Sequence, residues 1–277
     1  DALRLIMRER AFGAAGDQVV IEECLVGQEV SVLAFSDGRT VAPMALAQDH
    51  KAANDGDLGP NTGGMGCYAP APLLSSALRQ RALDAVLQPA VDGLARAGTP
   101  YVGVLYAGLM VRDDDFRVLE FNCRFGDPEA QVILPLLETD LAEIMLACVQ
   151  GRLDEIAVRW ARRAAVCVVM AAGGYPGSYR RGDEIHGLAE AAALPDTFVF
   201  HAGTRREGDR LVTAGGRVLG VTAWAGDLPA AIAAAYRAVG CIHWADAMYR
   251  TDIAAKGLAG AKGLAGAKGL RATGVKA

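Results

Sequence analysis

The stretch that decides the fold is Glu120-Phe121-Asn122-Cys123-Arg124-Phe125-Gly126-Asp127-Pro128-Glu129. On a strand, residues two apart point to the same face, so the side chains of Glu120 and Asn122 should lie together. A carboxylate and an amide oxygen make the hard, oxygen-only kind of site that Mg²⁺ prefers. If the strand continues, Arg124 joins this face, where its charge would stabilise a transferring phosphoryl group. The stretch therefore predicts a metal-assisted phosphoryl-transfer face.

Two further carboxylates follow Gly126 in this stretch. Asp127 and Glu129 would either position an amine substrate or cap the next helix, and the sequence leaves both alternatives open. Taken alone, Glu120 would be more typical of a solvated edge strand. The compactness of the whole stretch is what favours a functional site.

A polar segment over residues 48–66 is the second candidate site. It contains the motifs Gln48-Asp49-His50-Lys51 and Gly59-Pro60-Asn61-Thr62-Gly63-Gly64-Met65-Gly66. Glycine-rich backbone comes close to ligands and presents N–H groups to anions. Lys51 offers a point charge for a phosphate or carboxylate, and Asp49 and His50 would bind an amine or transfer a proton. The alternative for such a segment is a flexible surface loop.

The third candidate is Ile21-Glu22-Glu23-Cys24-Leu25, followed by Gly27 and Glu29. On a strand, Glu22 and Glu23 face opposite sides. One of them would accept hydrogen bonds from the amino or ribose hydroxyl groups of a nucleotide, and the other would be solvated. The sequence does not fix which of the two faces the ligand.

Hydrophobic spacing and turn residues predict an α+β fold. Strands are expected at 19–25, 29–35 and 41–47 as an antiparallel meander, and a helix at 75–97 with a kink at Pro89. A strand pair at 103–111 and 116–121 and a helix capped by Asp140 complete the first unit. The second unit is expected to contain strands at 164–172, 198–203 and 217–225 and a helix capped by Asp227.

These elements suggest three segments. Residues 1–160 would form an antiparallel sheet with helices, and residues 161–252 a small β-rich α/β domain. Residues 253–277, with their repeated Ala-Lys-Gly-Leu-Ala-Gly pattern, are expected to be a weakly structured, mobile tail because glycine costs about 1 kcal/mol relative to alanine in a helix.

Composition excludes several classes of function. The formal net charge is −4 and the 28 basic residues form no long block, which argues against nucleic-acid binding. No apolar run approaches the roughly 20 residues of a membrane span, and no signal-peptide pattern is present. The six cysteines form no CxxC pair, so we expect a reduced, cytoplasmic protein without a disulfide framework.

Together, the three candidate segments resemble the phosphoribosylamine–glycine ligase (glycinamide ribonucleotide synthetase) family of ATP-grasp ligases. The chain also matches this family at Leu105-Tyr106-Ala107-Gly108-Leu109-Met110. In the second unit the matching motifs are Val169-Met170-Ala171-Ala172-Gly173-Gly174-Tyr175-Pro176-Gly177, His201-Ala202-Gly203-Thr204 and Gly215-Gly216-Arg217-Val218. The order and spacing of these motifs agree with the family up to about residue 252.

The resemblance implies a partial ATP-grasp domain followed by a small carboxyl-terminal domain. It implies a reaction in which ATP converts glycine to glycyl phosphate and 5-phosphoribosylamine displaces the phosphate, giving glycinamide ribonucleotide, ADP and phosphate in purine biosynthesis. The implied cofactors are ATP and Mg²⁺ (or Mn²⁺), and the implied partners are these small molecules. The full-length enzyme would be a monomer.

By position, the resemblance assigns the metal to Glu120 and Asn122, without a third protein ligand, and catalytic roles to Arg124, Lys51 and Asp49. The ATP side would be formed by Glu22, Glu23, Cys24, Leu25 and Glu29. The substrate side would be lined by His50, Asn61, Thr62, Gly63, Asp127 and Glu129.

Family members also have an amino-terminal domain and a glycine-rich lid over the ATP phosphates, and neither is expected in these residues. The missing lid would leave an apolar surface exposed on the first unit. Three hypotheses follow: a piece of a complete ligase, an inactive fragment that binds nucleotide or a separate amino-terminal half, or a ligase for another carboxylate or amine.

Overall fold

The computed structural model describes residues 1–258, which contain both strands and helices. The strands are β1 (Gln28–Asp37), β2 (Val41–Pro43), β3 (Gln48–Asp49), β4 (Ala52–Asn54), β5 (Leu58–Asn61), β6 (Gly66–Ala69), β7 (Val102–Arg112), β8 (Asp115–Asn122), β9 (Ala164–Ala171), β10 (Thr197–His201), β11 (Thr204–Glu207), β12 (Arg210–Thr213) and β13 (Arg217–Ala225). The α-helices are α1 (Ser76–Ala82), α2 (Gln88–Arg96), α3 (Ala130–Ile133), α4 (Leu141–Gln150), α5 (Leu188–Ala192) and α6 (Leu228–Val239). Single 3₁₀ or π turns lie at Arg4–Arg8, Gly13–Asp17, Asp55–Asp57, Leu83–Leu87, Leu134–Leu136 and Leu153–Glu155.

Two antiparallel sheets form the frame of the molecule. One has the strand order β2-β1-β7-β8, and the other has the order β10-β13-β9-β6-β3. Every residue of β9 is buried, as expected for a central strand covered on both faces. Helix α6 packs on β9 and β13, while α4 packs on β1 and β7. The remaining strands form the two hairpins β4-β5 and β11-β12.

Local capping explains why several helices begin where the sequence predicts. The side chain of Ser75 accepts a hydrogen bond from the Leu78 amide, and Asp140 accepts one from Ala142. Asp227 accepts one from Ala230, and Pro229 occupies the first turn of α6, where no amide is needed. The predicted helices at Asp140 and Asp227 are thus confirmed with their caps.

The predicted strand at 19–25 is wrong. These residues form no strand, and Val20 and Ile21 are 82% and 78% exposed. Strand propensity is a preference for a pleated, half-buried surface, and no neighbouring strand covers these side chains. Of the predicted meander, the antiparallel pair β1-β2 is present, with β2 ending early at Pro43.

The five-stranded sheet takes strands from both sides of the expected boundary at residue 160. Strands β3 and β6 precede the boundary, whereas β9, β10 and β13 follow it. Cys67 of β6 and Cys167 of β9 are partners in this sheet, and both are free thiols. The two predicted units therefore share one sheet, and the division at 160 stays a prediction.

The first residues of the predicted tail are part of the folded body, which corrects that expectation. Ile253 and Ala254 are buried, and Lys256 forms an ion pair with Asp57 at 2.5 Å. Apolar packing therefore outweighs the low helix propensity of the repeat at this point. The rest of the predicted tail lies outside the described residues. Among the helices that the structure describes, none is long and apolar enough to cross a membrane.

Candidate active site

Glu120 and Asn122 share one face of β8, as predicted from strand alternation. The Asn122 amide donates a hydrogen bond to Glu120 Oε1 at 2.9 Å. Glu120 lies opposite Gly108 of β7, where the absence of a side chain leaves the carboxylate room beside the neighbouring strand. The free oxygens of the pair are Glu120 Oε2 and Asn122 Oδ1, which are hard ligands.

A cavity of about 180 Å³ joins this strand to the polar segment. Lys51 lies in it with its Nζ 3.9 Å from Glu29 Oε2 and 3.9 Å from Asp49 Oδ2. The cavity is lined by Glu29, Val30, Ser31, Asp49, Lys51, Tyr106, Gly108, Leu119 and Glu120. A neighbouring cavity of about 410 Å³ shares Glu29, Asp49 and Lys51 and also reaches Asn61. Residues far apart in the chain thus converge around one lysine.

Asp49 has an unusual electrostatic environment for a carboxylate. Its side chain is only 5% exposed, and its Oδ1 accepts a hydrogen bond from the His50 amide at 2.7 Å. Burial raises the pKa of Asp49 well above its ordinary value, and the nearby Glu129 carboxylate raises it further, against the opposing effect of Lys51. A raised pKa makes Asp49 a better proton acceptor than an exposed aspartate.

Glu129 is hydrogen-bonded to two residues that line this cavity, Ser31 and Tyr106. It is buried, and its Oε1 accepts hydrogen bonds of 2.9 Å from both Ser31 Oγ and Tyr106 Oη. Burial, followed by the charge of Glu129, raises the pKa of Tyr106, so the phenol stays a donor. Glu129 is the N-cap residue of α3 but makes no side-chain cap bond. The helix-cap alternative for Glu129 therefore does not hold.

Sequence reasoning missed Ser31 and Tyr106 as site residues. Both lie at strand positions that face the cavity: Tyr106 and Gly108 are the cross-strand partners of Asn122 and Glu120, and Ser31 is the partner of Gly108. The period-two pattern of β7 was the signal that could have found Tyr106.

The Gly63-Gly64 turn lies against the Asp127-Pro128 turn. A Cβ on Gly64 would be 2.5 Å from Pro128 Cδ and 2.6 Å from Asp49 Oδ1, and Gly64 has φ +112°. The amide of Gly64 donates to Thr62 Oγ1 at 3.0 Å, while Thr62 Oγ1 donates to the Lys51 carbonyl at 2.8 Å. The predicted substrate residues Thr62, Gly63 and Asp127 are thus brought together beside Asp49.

Glu23, Cys24 and Leu25 line a separate cavity of about 350 Å³ at the end of the β7-β8 hairpin. Glu22 is exposed and does not belong to its lining. Met110 lines this cavity as well as the larger one at Lys51, so the two cavities adjoin along β7. Of the two glutamates, Glu23 lines this cavity, and which of them faces a nucleotide stays a prediction.

Arg124 and His50 are among the predicted site residues that do not line these cavities. Arg124 is beyond the end of β8, and its exposed guanidinium donates to the Phe125 carbonyl at 2.9 Å. His50 is buried beside Tyr68, with its Nδ1 3.3 Å from the Gly66 carbonyl and its Nε2 without a hydrogen-bond partner among residues 1–258. Burial and the charges of Lys256 and Arg250 lower the pKa of His50 to about 4. A buried neutral imidazole is not placed to contact substrate.

Within residues 1–258, no group of three or more His, Cys, Asp or Glu side chains has the arrangement of a complete metal site. Glu120 and Asn122 nevertheless fit a Mg²⁺ ion that takes its remaining ligands from water and substrate phosphates. The donor set is all oxygen, and Glu29 lines the same cavity as Glu120.

Comparison with known proteins identifies the family to which the chain belongs. Residues 1–130 match the family model described as phosphoribosylglycinamide synthetase, ATP-grasp (A) domain, and residues 165–256 match the model of the C domain of the same synthetase. The fold is therefore that of an ATP-grasp protein. More particularly, the chain belongs to the phosphoribosylglycinamide synthetase family.

Individual relatives agree with this assignment. The chain is 53% identical over 249 residues to the phosphoribosylamine–glycine ligase of Synechocystis, covering 89% of this chain and 59% of the relative. It is 52% identical over 259 residues to the human trifunctional purine biosynthetic protein adenosine-3, covering 93% of this chain and 26% of that protein. The crystal structure of phosphoribosylamine–glycine ligase from Thermotoga maritima is similar with a TM-score of 0.74 and 34% identity, over 83% of this chain and 56% of that one. The chain thus spans less than two thirds of the length of these relatives.

Proposed function

We propose that the cavity at Lys51 supports the ATP-dependent ligation of glycine to 5-phosphoribosylamine, giving glycinamide ribonucleotide, ADP and phosphate. Membership of the synthetase family supports this proposal. The observation that carries it is the convergence of Lys51, Asp49 and Glu120 on one small cavity. Such a set combines a cation for anionic substrates, a buried carboxylate for an amine, and an oxygen ligand for a metal.

The reaction requires two transfers. The carboxylate of glycine attacks the terminal phosphorus of ATP, which releases ADP and forms glycyl phosphate. The amine of 5-phosphoribosylamine then attacks the glycyl carbonyl carbon, phosphate leaves, and the nitrogen loses a proton. Lys51 would compensate the charge of the anionic groups, and Asp49, with its raised pKa, would accept that proton.

We assign the metal to Glu120 and Asn122 because their free oxygens share one face. Mg²⁺ (or Mn²⁺) would polarise the phosphates of the nucleotide when bound. On the nucleotide side we assign Glu23, Cys24 and Leu25, which line the adjoining cavity, together with Glu29. Arg124 would have to move from its present position to reach a phosphate, and its role stays a prediction.

We assign the substrate side to Asp127, Asn61, Thr62 and Gly63 with Asp49. Asn61 lines the larger cavity, Thr62 donates a hydrogen bond to the carbonyl of Lys51, and Gly63 and Asp127 both accept from Arg217. We also propose a cytoplasmic location, because the six cysteines are scattered along the sequence and form no CxxC pair.

A glycine-dependent turnover assay tests the proposal. The chain is incubated with ATP, Mg²⁺, glycine and 5-phosphoribosylamine, alone and with the remaining family segment supplied as a separate polypeptide. We expect ADP release that requires both substrates and falls at least about 100-fold in Lys51→Met, since one charged group at the reacting atoms is lost. The matched control is Arg205→Met on the hairpin β11-β12, where the arginine is exposed and pairs with Glu207.

Two results would overturn the proposal. One is turnover that is equal with other small carboxylates, which would favour a ligase of different specificity. The other is the absence of turnover both alone and with the added segment, which would leave only a nucleotide-binding fragment.

A further inference from the structure

Arg217, at the first position of β13, makes a cluster of hydrogen bonds outside its own sheet. Its Nη1 donates to the Gly63 carbonyl at 2.8 Å, the Asp127 carbonyl at 2.9 Å and the Gly64 carbonyl at 3.4 Å. Its Nη2 donates to Asp127 Oδ2 at 3.2 Å. The side chain is 22% exposed, so these bonds are largely shielded from water. One guanidinium therefore joins two turns that lie far apart in the sequence.

The Gly63-Gly64 turn is contacted on two sides by residues of the carboxyl-terminal half. A Cβ on Gly63 would lie 3.1 Å from Arg217 Cζ, so the guanidinium is in close contact with this glycine. On the other side, the Gly63 amide donates to Tyr175 Oη at 3.2 Å. Arg217 and Tyr175 both belong to the carboxyl-terminal half of the chain. The carboxyl-terminal half thus binds both the carbonyl groups and an amide group of the Gly63-Gly64 turn.

We infer that Arg217 is a positioning residue that fixes the Gly63-Gly64 turn against the Asp127-Pro128 turn. This inference rests on the proposed function, in which these turns face the substrates. Arg217 makes no hydrogen bond to Glu120 or Asp49; its charge lowers the pKa of Asp49, and its bonds hold the turns that border the cavity. Through it, the carboxyl-terminal half of the chain sets the geometry of the substrate side.

The chemistry of the contact requires arginine in particular. Three backbone carbonyls accept from Nη1 and the Asp127 carboxylate accepts from Nη2, so both terminal nitrogens of the planar guanidinium are used. The ion pair with Asp127 is half exposed on the carboxylate side and adds little by itself. Lysine at this position would keep the charge, but its single nitrogen could not bind the carbonyls and the Asp127 carboxylate from two separate positions. The variant Arg217→Lys therefore distinguishes an effect of the hydrogen-bond geometry from an effect of the positive charge alone.

Hydrogen–deuterium exchange tests the inference without relying on turnover. The amides of residues 62–65 are hydrogen-bonded in the structure and report on the turn. In Arg217→Met we expect their exchange to accelerate about tenfold, because charge-assisted bonds are lost, while β9 and α6 exchange as in the wild type. Arg217→Lys should be intermediate, and the control Arg205→Met, on the exposed hairpin with Glu207, should match the wild type.

Kinetics supply the second arm of the test. In an active preparation, Arg217→Met should raise the KM for glycine about tenfold and change kcat less than about threefold, as expected for a residue that positions a binding turn. Unchanged exchange at residues 62–65, or equal acceleration of all peptides, would overturn the inference. If the wild type lacks turnover, the proposed function fails, and the exchange arm alone still decides the role of Arg217.

Discussion

At Asp49, the ionised carboxylate that the proposed reaction needs is the form that destabilises the folded protein. Its carboxyl is buried near the second carboxylate, Glu129, and burial raises its pKa well above the ordinary 3.8. A carboxyl whose pKa is raised by folding favours the protonated folded state. Its contribution to stability is therefore complete below pH 3.8 and is lost as the pH rises toward the folded-state pKa.

The variant Asp49→Asn should be more stable than the wild type at neutral pH and should have lost turnover. Asparagine keeps an oxygen for the His50 amide but does not ionise. Denaturant midpoints measured from pH 3.5 to 8 should show an advantage of the variant that grows with pH. A variant that is less stable at pH 7 would contradict the assigned environment of Asp49.

His50 gives the opposite dependence on pH. Its pKa is lowered from 6.5 to about 4 by burial and by the nearby charges of Lys256 and Arg250. The neutral ring is favoured in the folded state, so its contribution to stability is present above pH 6.5 and is lost as the pH falls toward 4. The size of this loss is about 3 kcal/mol, since one pKa unit corresponds to about 1.4 kcal/mol.

The variant His50→Gln should remove that part of the acid sensitivity. Unfolding free energies measured between pH 7 and 4 should fall less steeply in the variant than in the wild type. His201→Gln is the control, because His201 is exposed and shows no comparable burial. Equal slopes in His50→Gln and the wild type would show that His50 is not buried as a neutral ring.

At the scale of structural elements, the Gly63-Gly64 turn of the polar segment packs against the Asp127-Pro128 turn, which follows β8. Gly64 combines a φ of +112° with a neighbour, Pro128, that leaves no room for a Cβ. We expect Gly64→Ala to destabilise the protein by about 3 kcal/mol, since both overpacking and backbone strain contribute. Thermal unfolding provides the measurement.

Gly98 provides a matched control for this substitution. Its φ is +79°, and nothing lies within 4 Å of a Cβ built on it. Gly98→Ala should therefore cost only about 1 kcal/mol, the strain of the backbone alone. If both variants lost the same stability, the close contact of the two turns would be refuted.

Elements that the sequence predicts well are those governed by local chemistry. Helices α4 and α6 follow from the caps Asp140 and Asp227, and the pairing of Glu120 with Asn122 follows from strand alternation. The strand expected at 19–25 fails because its partner would have to come from elsewhere, which local propensity cannot report. The burial of His50 is missed for the same reason, since it depends on Tyr68 and the residues around Arg250.

At the scale of the whole molecule, the shared five-stranded sheet links the two halves of the chain. Strands β9 and β13 lie beside β6, and β6 pairs with β3, which contains Asp49. The fully buried Arg250 adds a second link, through bonds to the Ala52 carbonyl at 3.1 Å and Asp57 Oδ1 at 3.0 Å. The sequence motifs identify both halves of the chain but do not predict these contacts between them. The contacts form only when strands from both halves assemble into one sheet.

The central claim is that β8 and the polar segment form one metal- and nucleotide-dependent site. Its most direct test is the affinity for ATP, measured by calorimetry with and without Mg²⁺, in the wild type and in Glu120→Ala, with Glu143→Ala on the exposed side of α4 as control. We expect Mg²⁺ to tighten ATP binding about tenfold or more in the wild type and the control, and to have no effect in Glu120→Ala. Equal Mg²⁺-dependent binding by Glu120→Ala and the wild type would contradict the account.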